Sequence, residues 1–333
     1  DPKLVRPTKV GGYQLCAQWS DDFHHALHTR LTGETRGYYS DYASLESLAV
    51  ALKNRFVYTG QYSRFRKRTH GGPADDLPSH QFVVCSQNHD QIGNRATGDR
   101  LSTLLSFSAL KLAAGITLLS PYIPLLFMGE EYAETAPFLY FVDHNDPDLL
   151  EAVKEGRKKE FAAFHDVENL PNPVSKETHD RSLLNWLSAD EKLSQNRLKQ
   201  ATMRRFYQRL IAVRKQCKVM TPTVPPDITV AHNANTLQYR QSLASGELLC
   251  LMNFSDEAEK VGLNLGDRVW CQQLNSADPQ WFVEGCEDVE NIGELPTLIS
   301  DAETGSTLVL APKSIVMYRE EMESPWTIAS TQI

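Results

Sequence analysis

One stretch constrains this chain more than any other: His80-Gln-Phe-Val-Val-Cys-Ser-Gln-Asn-His-Asp-Gln-Ile-Gly-Asn-Arg95. Phe82 to Cys85 form a short apolar run rich in β-branched and aromatic residues, as in a strand covered on both faces. The chain then turns polar at once, through Ser86, Gln87, Asn88, His89, Asp90 and Gln91. Folds that bury parallel strands between helices gather their chemistry at the carboxyl ends of those strands. Groups able to donate hydrogen bonds flank Asp90, which suits a carboxylate kept ionised to face developing positive charge. A capped turn after a strand accounts for the same residues, since Asn, His and Asp are ordinary turn formers.

The same pattern recurs on either side. Leu15 to His25 is a short apolar run that ends in polar groups, and Ile123 to Met128 leads into Gly129-Glu-Glu-Tyr132. Helices are expected between these units. Phe23 to Leu31 has Asp21 or Asp22 as a cap and Gly33 just past its end. Ser44 to Val57 carries Leu45, Leu48, Leu52 and Val57 near helical spacing. Leu101 to Leu119 reads as one long helix with a buried face. Three strands with carboxylates at their ends and helices between them is the organisation of a βα barrel. A complete barrel needs roughly 250 residues, so the expectation is an α/β fold holding only the later strands of a (β/α)8 TIM barrel. A compact three-stranded sheet is the alternative.

Tyr58 to His70 and Pro137 to His144 read as aromatic loops, which often build binding sites. Asp148 to Phe164 is expected as a helix, 169–180 as polar linker, and Leu193 to Cys217 as a long helix with Phe206, Leu210 and Val213 on one side. After Pro222, Pro225 and Pro226 the period becomes alternating. Thr236 to Arg240 and Leu248 to Phe254 form a hairpin around Ser245-Gly246. Lys260 to Leu265, Val269 to Leu274 and Ser306 to Arg319 add strands. We expect residues 1–216 to be barrel and 217–333 to be a small all-β antiparallel sandwich, its last dozen residues a tail.

Composition excludes several classes. The 333 residues carry a net charge of −8, with 41% hydrophobic and 23% charged residues, so no basic excess is available to neutralise nucleic-acid phosphates. The run Arg64 to Arg68 is read as a solvated loop face. Six cysteines (16, 85, 217, 250, 271 and 286) include no CxxC pair, which argues against zinc and for a reducing, cytoplasmic compartment. His24 and His25 are neighbours on a helix and point about 100° apart, a poor arrangement for sharing a metal ion. No metal and no cofactor are expected. The first residues, Asp1-Pro-Lys-Leu-Val5, lack the character of a signal peptide, and the absence of a starting Met suits a processed chain or a fragment. Leu112 to Met128 contains Pro121 and Pro124 and reads as helix then strand, so no membrane span is expected.

Glycoside hydrolysis is the natural chemistry for a carboxylate-lined rim with aromatic platforms. A retaining enzyme needs two carboxyl groups about 5 Å apart, one as acid and one as nucleophile. The candidates are Asp21, Asp22, Asp90, Glu130 and Glu131, and spacing does not choose among them.

Phe82 to Asn94, with its Gln-Asn-His-Asp-Gln core, resembles the seventh-strand motif of the α-amylase superfamily (glycoside hydrolase family 13). Ala17 to His28, Gly37-Tyr-Tyr, Phe56 to Ser63, Pro124 to Tyr132 and Pro137 to Phe141 narrow the resemblance to the malto-oligosyltrehalose trehalohydrolases. Ala311 to Arg319 resembles the family's closing strand. The resemblance implies cleavage of the α-1,4 bond beside a terminal trehalose unit, with malto-oligosyltrehalose as substrate. It makes Asp90 the transition-state stabiliser and His89 a ligand of the same sugar. Gln87, Asn88 and Arg95 become neighbouring contacts, Trp19, Asp21, Asp22 and His25 lining of the trehalose side, and Glu130 and Tyr132 rim residues of the eighth strand. The family's nucleophile and acid lie on strands four and five. Asp1 to Pro7 resembles the loop just after the acid, so both groups fall before this segment and the chain alone is expected to be inactive. The competing expectations are a glycogen-branching or other α-glucan enzyme, a non-catalytic glucan-binding module, and a partial barrel prone to association through its open edges.

Overall fold

In a computed structural model of the chain, residues 1–162, 170–186, 195–219, 228–243, 246–285, 295–300 and 307–321 are described. Three parallel strands stand at its centre. They are β1 (Gln18–Trp19), β4 (Phe82–Val84) and β5 (Ile123–Pro124), with β4 in the middle. Trp19 lies opposite Val83, and Val83 opposite Ile123. The ladder extends one step further on each side, where Ser20 N donates to Val83 O at 2.9 Å and Leu125 N to Val84 O at 2.8 Å. β4 ends at Val84, and among the described residues Leu126 to Met128 pair with no strand. The third strand is therefore shorter than its apolar run.

The first crossover contains α1 (Asp21–Thr32), α2 (Leu45–Asn54) and a hairpin of β2 (Thr59–Ser63) and β3 (Arg68–Gly71). The expected loop from Tyr58 to His70 is thus an ordered ribbon. α1 ends at Gly33 as the sequence indicates, but Ser20 occupies its cap position and no side chain caps it. Asp21 and Asp22 lie inside the first turn instead. The second crossover contains α3 (His89–Gly93), α4 (Leu101–Leu104) and α5 (Phe107–Leu119). The expected single helix breaks because Ser106 is extended and its Oγ accepts from Ala109 N at 3.2 Å, starting a new helix. α6 (Pro147–Ala162), α7 (Lys176–Arg181) and α8 (Gln195–Gln216) follow. Arg214 on α8 donates to Leu118 O, Ser120 O and Tyr122 O, clamping α8 to the α5–β5 turn.

The remainder is antiparallel. β6 (Ile228–His232), β7 (Thr236–Leu243), β8 (Gly246–Asn253), β10 (Trp270–Asn275), β11 (Leu298–Ile299) and β13 (Ser314–Glu320) form a six-stranded sheet in the order β11-β10-β13-β8-β7-β6. β9 (Glu259–Gly262) pairs with β12 (Thr307–Leu310). The stretch expected as one strand from residue 306 to Arg319 is therefore two strands in different sheets. Central strand β8 is apolar on both faces because both are covered. Leu248, Cys250 and Met252 join the cluster around Leu112 of α5 and Phe206 of α8, whereas Leu249 and Leu251 join Val261, Trp270 and Leu308. Each such fully buried side chain contributes about 1.5–3 kcal/mol. Ser245, Cys286, the prolines at 222, 225 and 226, and the expected tail lie outside the described residues. Among the described residues no helix is long and apolar enough to cross a membrane.

Candidate active site

β4 delivers its polar residues in two layers. Ser86, Gln87 and Asn88 stay buried, and the chain then turns outward into α3. Asn88 makes that turn: its Oδ1 accepts from Asp90 N at 2.8 Å and Gln91 N at 3.4 Å. His89 and Asp90 are left facing solvent, with side chains 56% and 60% exposed and His89 Nε2 3.3 Å from Asp90 Oδ1. The neighbouring strand end supplies Trp19, 47% exposed, whose ring meets His89 edge-on at 6.0 Å. Asp21 follows it. Desolvation by the packed strand ends raises the Asp21 pKa, helped by the charges of Asp22 and Asp90 and opposed by Arg66 and a hydrogen bond from Gln91. Trp19, Asp21, His89 and Asp90 therefore form one exposed rim across the ends of β1 and β4, joined by the Trp19–His89 ring contact and by the Asp90 charge acting on Asp21.

The other expected site residues stand behind or beside this rim. Asp22 is buried, accepting from Tyr42 OH at 2.6 Å, Val57 N at 2.8 Å and Tyr58 N at 3.0 Å. It anchors the start of the hairpin rather than capping α1. His25 is buried among Tyr38, Tyr39 and Tyr42. Burial there lowers its pKa to about 4. Gln87 bridges layers: its Oε1 accepts from Leu101 N at 3.0 Å and its Nε2 donates to Glu130 at 3.4 Å. Arg95 donates to Glu34 at 2.8 Å.

Glu130 and Tyr132 do not line an open rim. Both are buried, and Tyr132 OH donates to Glu134 at 3.1 Å. Glu131 is half-buried, its Oε2 accepting from Gly129 N at 3.0 Å.

Sequence reasoning passed over three supports. Glu134 accepts from Thr135 N, Ala136 N, Asn185 N, Asn185 Nδ2 and Tyr132 OH, all within 3.1 Å. Burial alone would raise its pKa, but these donors outweigh that and hold it below the usual value. Arg100, buried against the Phe127 ring, donates to Ala136 O at 2.6 Å and Met128 O at 2.8 Å. Together they fix the loop after β5. Arg66, from the basic run read as solvated, is half-buried over Tyr58 and near enough to Asp21 to oppose its shift. The interleaved aromatics of that run were the available signal. Among the described residues no group of three or more His, Cys, Asp or Glu side chains is placed to hold a metal ion.

Parallel strands between helices, polar at their carboxyl ends and followed by an antiparallel sheet, are the fold this chain shares with α-amylase-type structures. A crystal structure named "Putative alpha Amylase from Salmonella typhimurium" superposes with a TM-score of 0.73 at 33% identity, over 92% of this chain and 47% of that one. An AmyP structure with maltose and an α-amylase from Geobacillus thermoleovorans with acarbose share the fold, each with a TM-score of 0.51 at 11% and 12% identity. No protein-family model matches.

Among curated sequences, this chain is a relative of the malto-oligosyltrehalose trehalohydrolases. It is 43% identical to that of Rhizobium sp. (strain M-11) over 261 residues, which are 77% of this chain and 42% of the relative. Against the Saccharolobus solfataricus protein it is 46% identical over 216 residues, 65% of this chain and 36% of the relative. The chain thus spans about two-fifths of the length of the curated relatives it matches.

Proposed function

We propose that this chain supplies one wall of the active site of a retaining α-glucan hydrolase. The enzyme cuts the α-1,4 bond beside the terminal trehalose of malto-oligosyltrehalose and releases trehalose. The observation that carries this is the exposed rim of Trp19, Asp21, His89 and Asp90. Asp90 binds the sugar at the cleavage point and stabilises the oxocarbenium-like transition state. His89 hydrogen-bonds the same sugar, and Trp19 offers an apolar platform beside it.

Retaining hydrolysis also needs a nucleophile and a proton donor. Asp22 and Glu134 are each committed to several protein donors, and Glu130 is buried. Asp21 and Glu131 remain, but the family resemblance puts the nucleophile and the acid on strands four and five, which assigns both roles to residues outside this chain. The chain alone binds glucan without turning it over, working in the cytoplasm of its source and dividing after Gln216 into barrel and sandwich. Incubating the purified chain with malto-oligosyltrehalose, and measuring free trehalose by chromatography and binding by calorimetry, tests this. Saturable binding without trehalose is the expected result. Trehalose release near the rate of intact relatives refutes the inactivity, new branch points favour a branching enzyme, and absence of binding refutes the glucan site.

A further inference from the structure

His89 and Asp90 ride on a helix of five residues, too short to hold its own orientation. Its direction is set by anchors at its two ends. Asn88 fixes the start. At the other end Arg157 Nη2 donates to Gly93 O at 3.3 Å, and Arg95, two residues further on, reaches across to Glu34. One oxygen of Glu34, Oε2, takes both Arg95 Nη1 at 2.8 Å and His28 Nε2 at 2.7 Å. His28 is in turn fixed on α1, stacked on Tyr39 at 4.7 Å and on His24 at 5.4 Å. Glu34 therefore joins a rigid block of α1 to the segment that leaves α3.

We propose that Glu34 is a positioning residue for the rim: through Arg95 it holds α3, and with it His89 and Asp90, in register with Trp19 and Asp21. This rests on the rim being the glucan site. Glu34 touches no rim residue itself, and its effect is transmitted by the helix. The geometry differs from an ordinary surface pair, whose contribution is often nil. His28 has a side chain only 5% exposed and Arg95 one of 22%, and both converge on the same carboxylate oxygen. The His28 hydrogen bond first, and then Arg95, hold the carboxyl down to about 2, so it is charged at neutral pH. Arg95 also faces Asp99, with Nε 3.5 Å from Oδ2, and Thr97 holds that carboxylate at 2.6 Å. Loss of Glu34 leaves Arg95 free to follow Asp99 and to draw the end of α3 with it.

The test uses the whole chain labelled with 13Cε1-histidine, with maltoheptaose as the ligand. His89 is assigned by the signal missing from His89→Gln. In Glu34→Gln the His89 signal is expected to shift together with that of His28. Maltoheptaose affinity should fall about tenfold. Glu34→Asp should recover part of the affinity, and Glu155→Ala, which breaks an exposed pair with Lys158, should change neither readout. If Glu34→Gln fails to fold, Glu34→Asp reports on the same His89 signal. Movement of the His28 signal with His89 unchanged, or unaltered affinity in a folded Glu34→Gln, overturns the proposal. If the unmutated chain does not bind maltoheptaose, the glucan site fails, while the His89 signal still decides the role of Glu34.

Discussion

Replacing Glu130 by Gln should stabilise the protein above neutral pH. Glu130 is buried, 7% exposed. Its donors are Ser86 Oγ at 3.3 Å, Gln87 Nε2 at 3.4 Å and Tyr207 OH at 3.4 Å, all long for strong hydrogen bonds. Beside them lies a cavity of about 10 Å³, room for one water. Burial raises the Glu130 pKa from 4.5 to about 8. Between those two values the folded chain therefore holds a proton that the unfolded chain has lost, and stability declines as pH rises through the window. At about 1.36 kcal/mol per decade of proton affinity the full gap is roughly 5 kcal/mol, and relaxation around the carboxylate reduces this to ~2–4 kcal/mol. A Gln amide fits the same site, its oxygen toward Ser86 and Gln87 and its nitrogen toward the Tyr207 hydroxyl. Urea unfolding of both proteins from pH 4.5 to 8.5, followed by circular dichroism, isolates the difference. Near-equal stability is expected at pH 4.5, with Glu130→Gln ahead by ~2–4 kcal/mol at pH 8.5. A flat difference across the window, or a less stable Gln variant at high pH, would show that Glu130 is an ionised, satisfied carboxylate and refute the reasoning.

Asp22→Ala strands a buried Tyr hydroxyl and two backbone amides and should cost about 3–5 kcal/mol, whereas Asp21→Ala should stay within about 1 kcal/mol; denaturant titration separates the two neighbours. Burial holds His24 and His25 neutral, well below the ordinary value for His24 and at about 4 for His25. The unfolded chain takes up protons first as pH falls below 6.5, so stability should drop from pH 6.5 toward 4, on the order of 3 kcal/mol from His25 alone. An acid unfolding curve for His25→Gln that keeps the full drop would count against this. Trp19→Ala should weaken maltoheptaose binding by about tenfold, or ~1.4 kcal/mol, while calorimetry shows the melting temperature within about 2 °C of the parent, because the ring is half exposed.

What sequence reasoning could see, it saw through periodicity and boundary chemistry. The apolar run from Phe82 and its abrupt polar end located β4 and the turn that exposes Asp90. Gly33 marked the end of α1, alternation marked β7, and a continuous apolar run marked β8. The failures have a common physical source, since they concern which way a side chain faces after the chain has folded back on itself. Asp21 and Asp22 are adjacent and chemically alike, yet one faces the rim and the other receives the amides of Val57 and Tyr58, 35 and 36 residues away. Glu130 sits in a strand-end motif, but α8 brings Tyr207 over it. Ser106 interrupts an apolar pattern that by itself continues as helix. The partners of Asp22 and Glu130 are not local, so no window along the chain contains them, whereas the Ser106 cap lies only three residues from Ala109 and was open to a local reading.

Gly115 of α5 lies so close to β13 that a Cβ there would stand 2.6 Å from Ile315 Cγ2. Leu112, Ile116, Phe206, Leu237, Cys250 and Met317 belong to the same apolar cluster. The helices behind the rim and the antiparallel sheet therefore share one interior, and the sheet is not an interchangeable module. A graft of a foreign sheet behind α5 would need a residue no larger than the Ile315 side chain allows at that crossing. A chain cut after Gln216 would leave α5 and α8 presenting an oily surface to water. Recombination among glucan-acting proteins should then succeed only where α5 and β13 are inherited together.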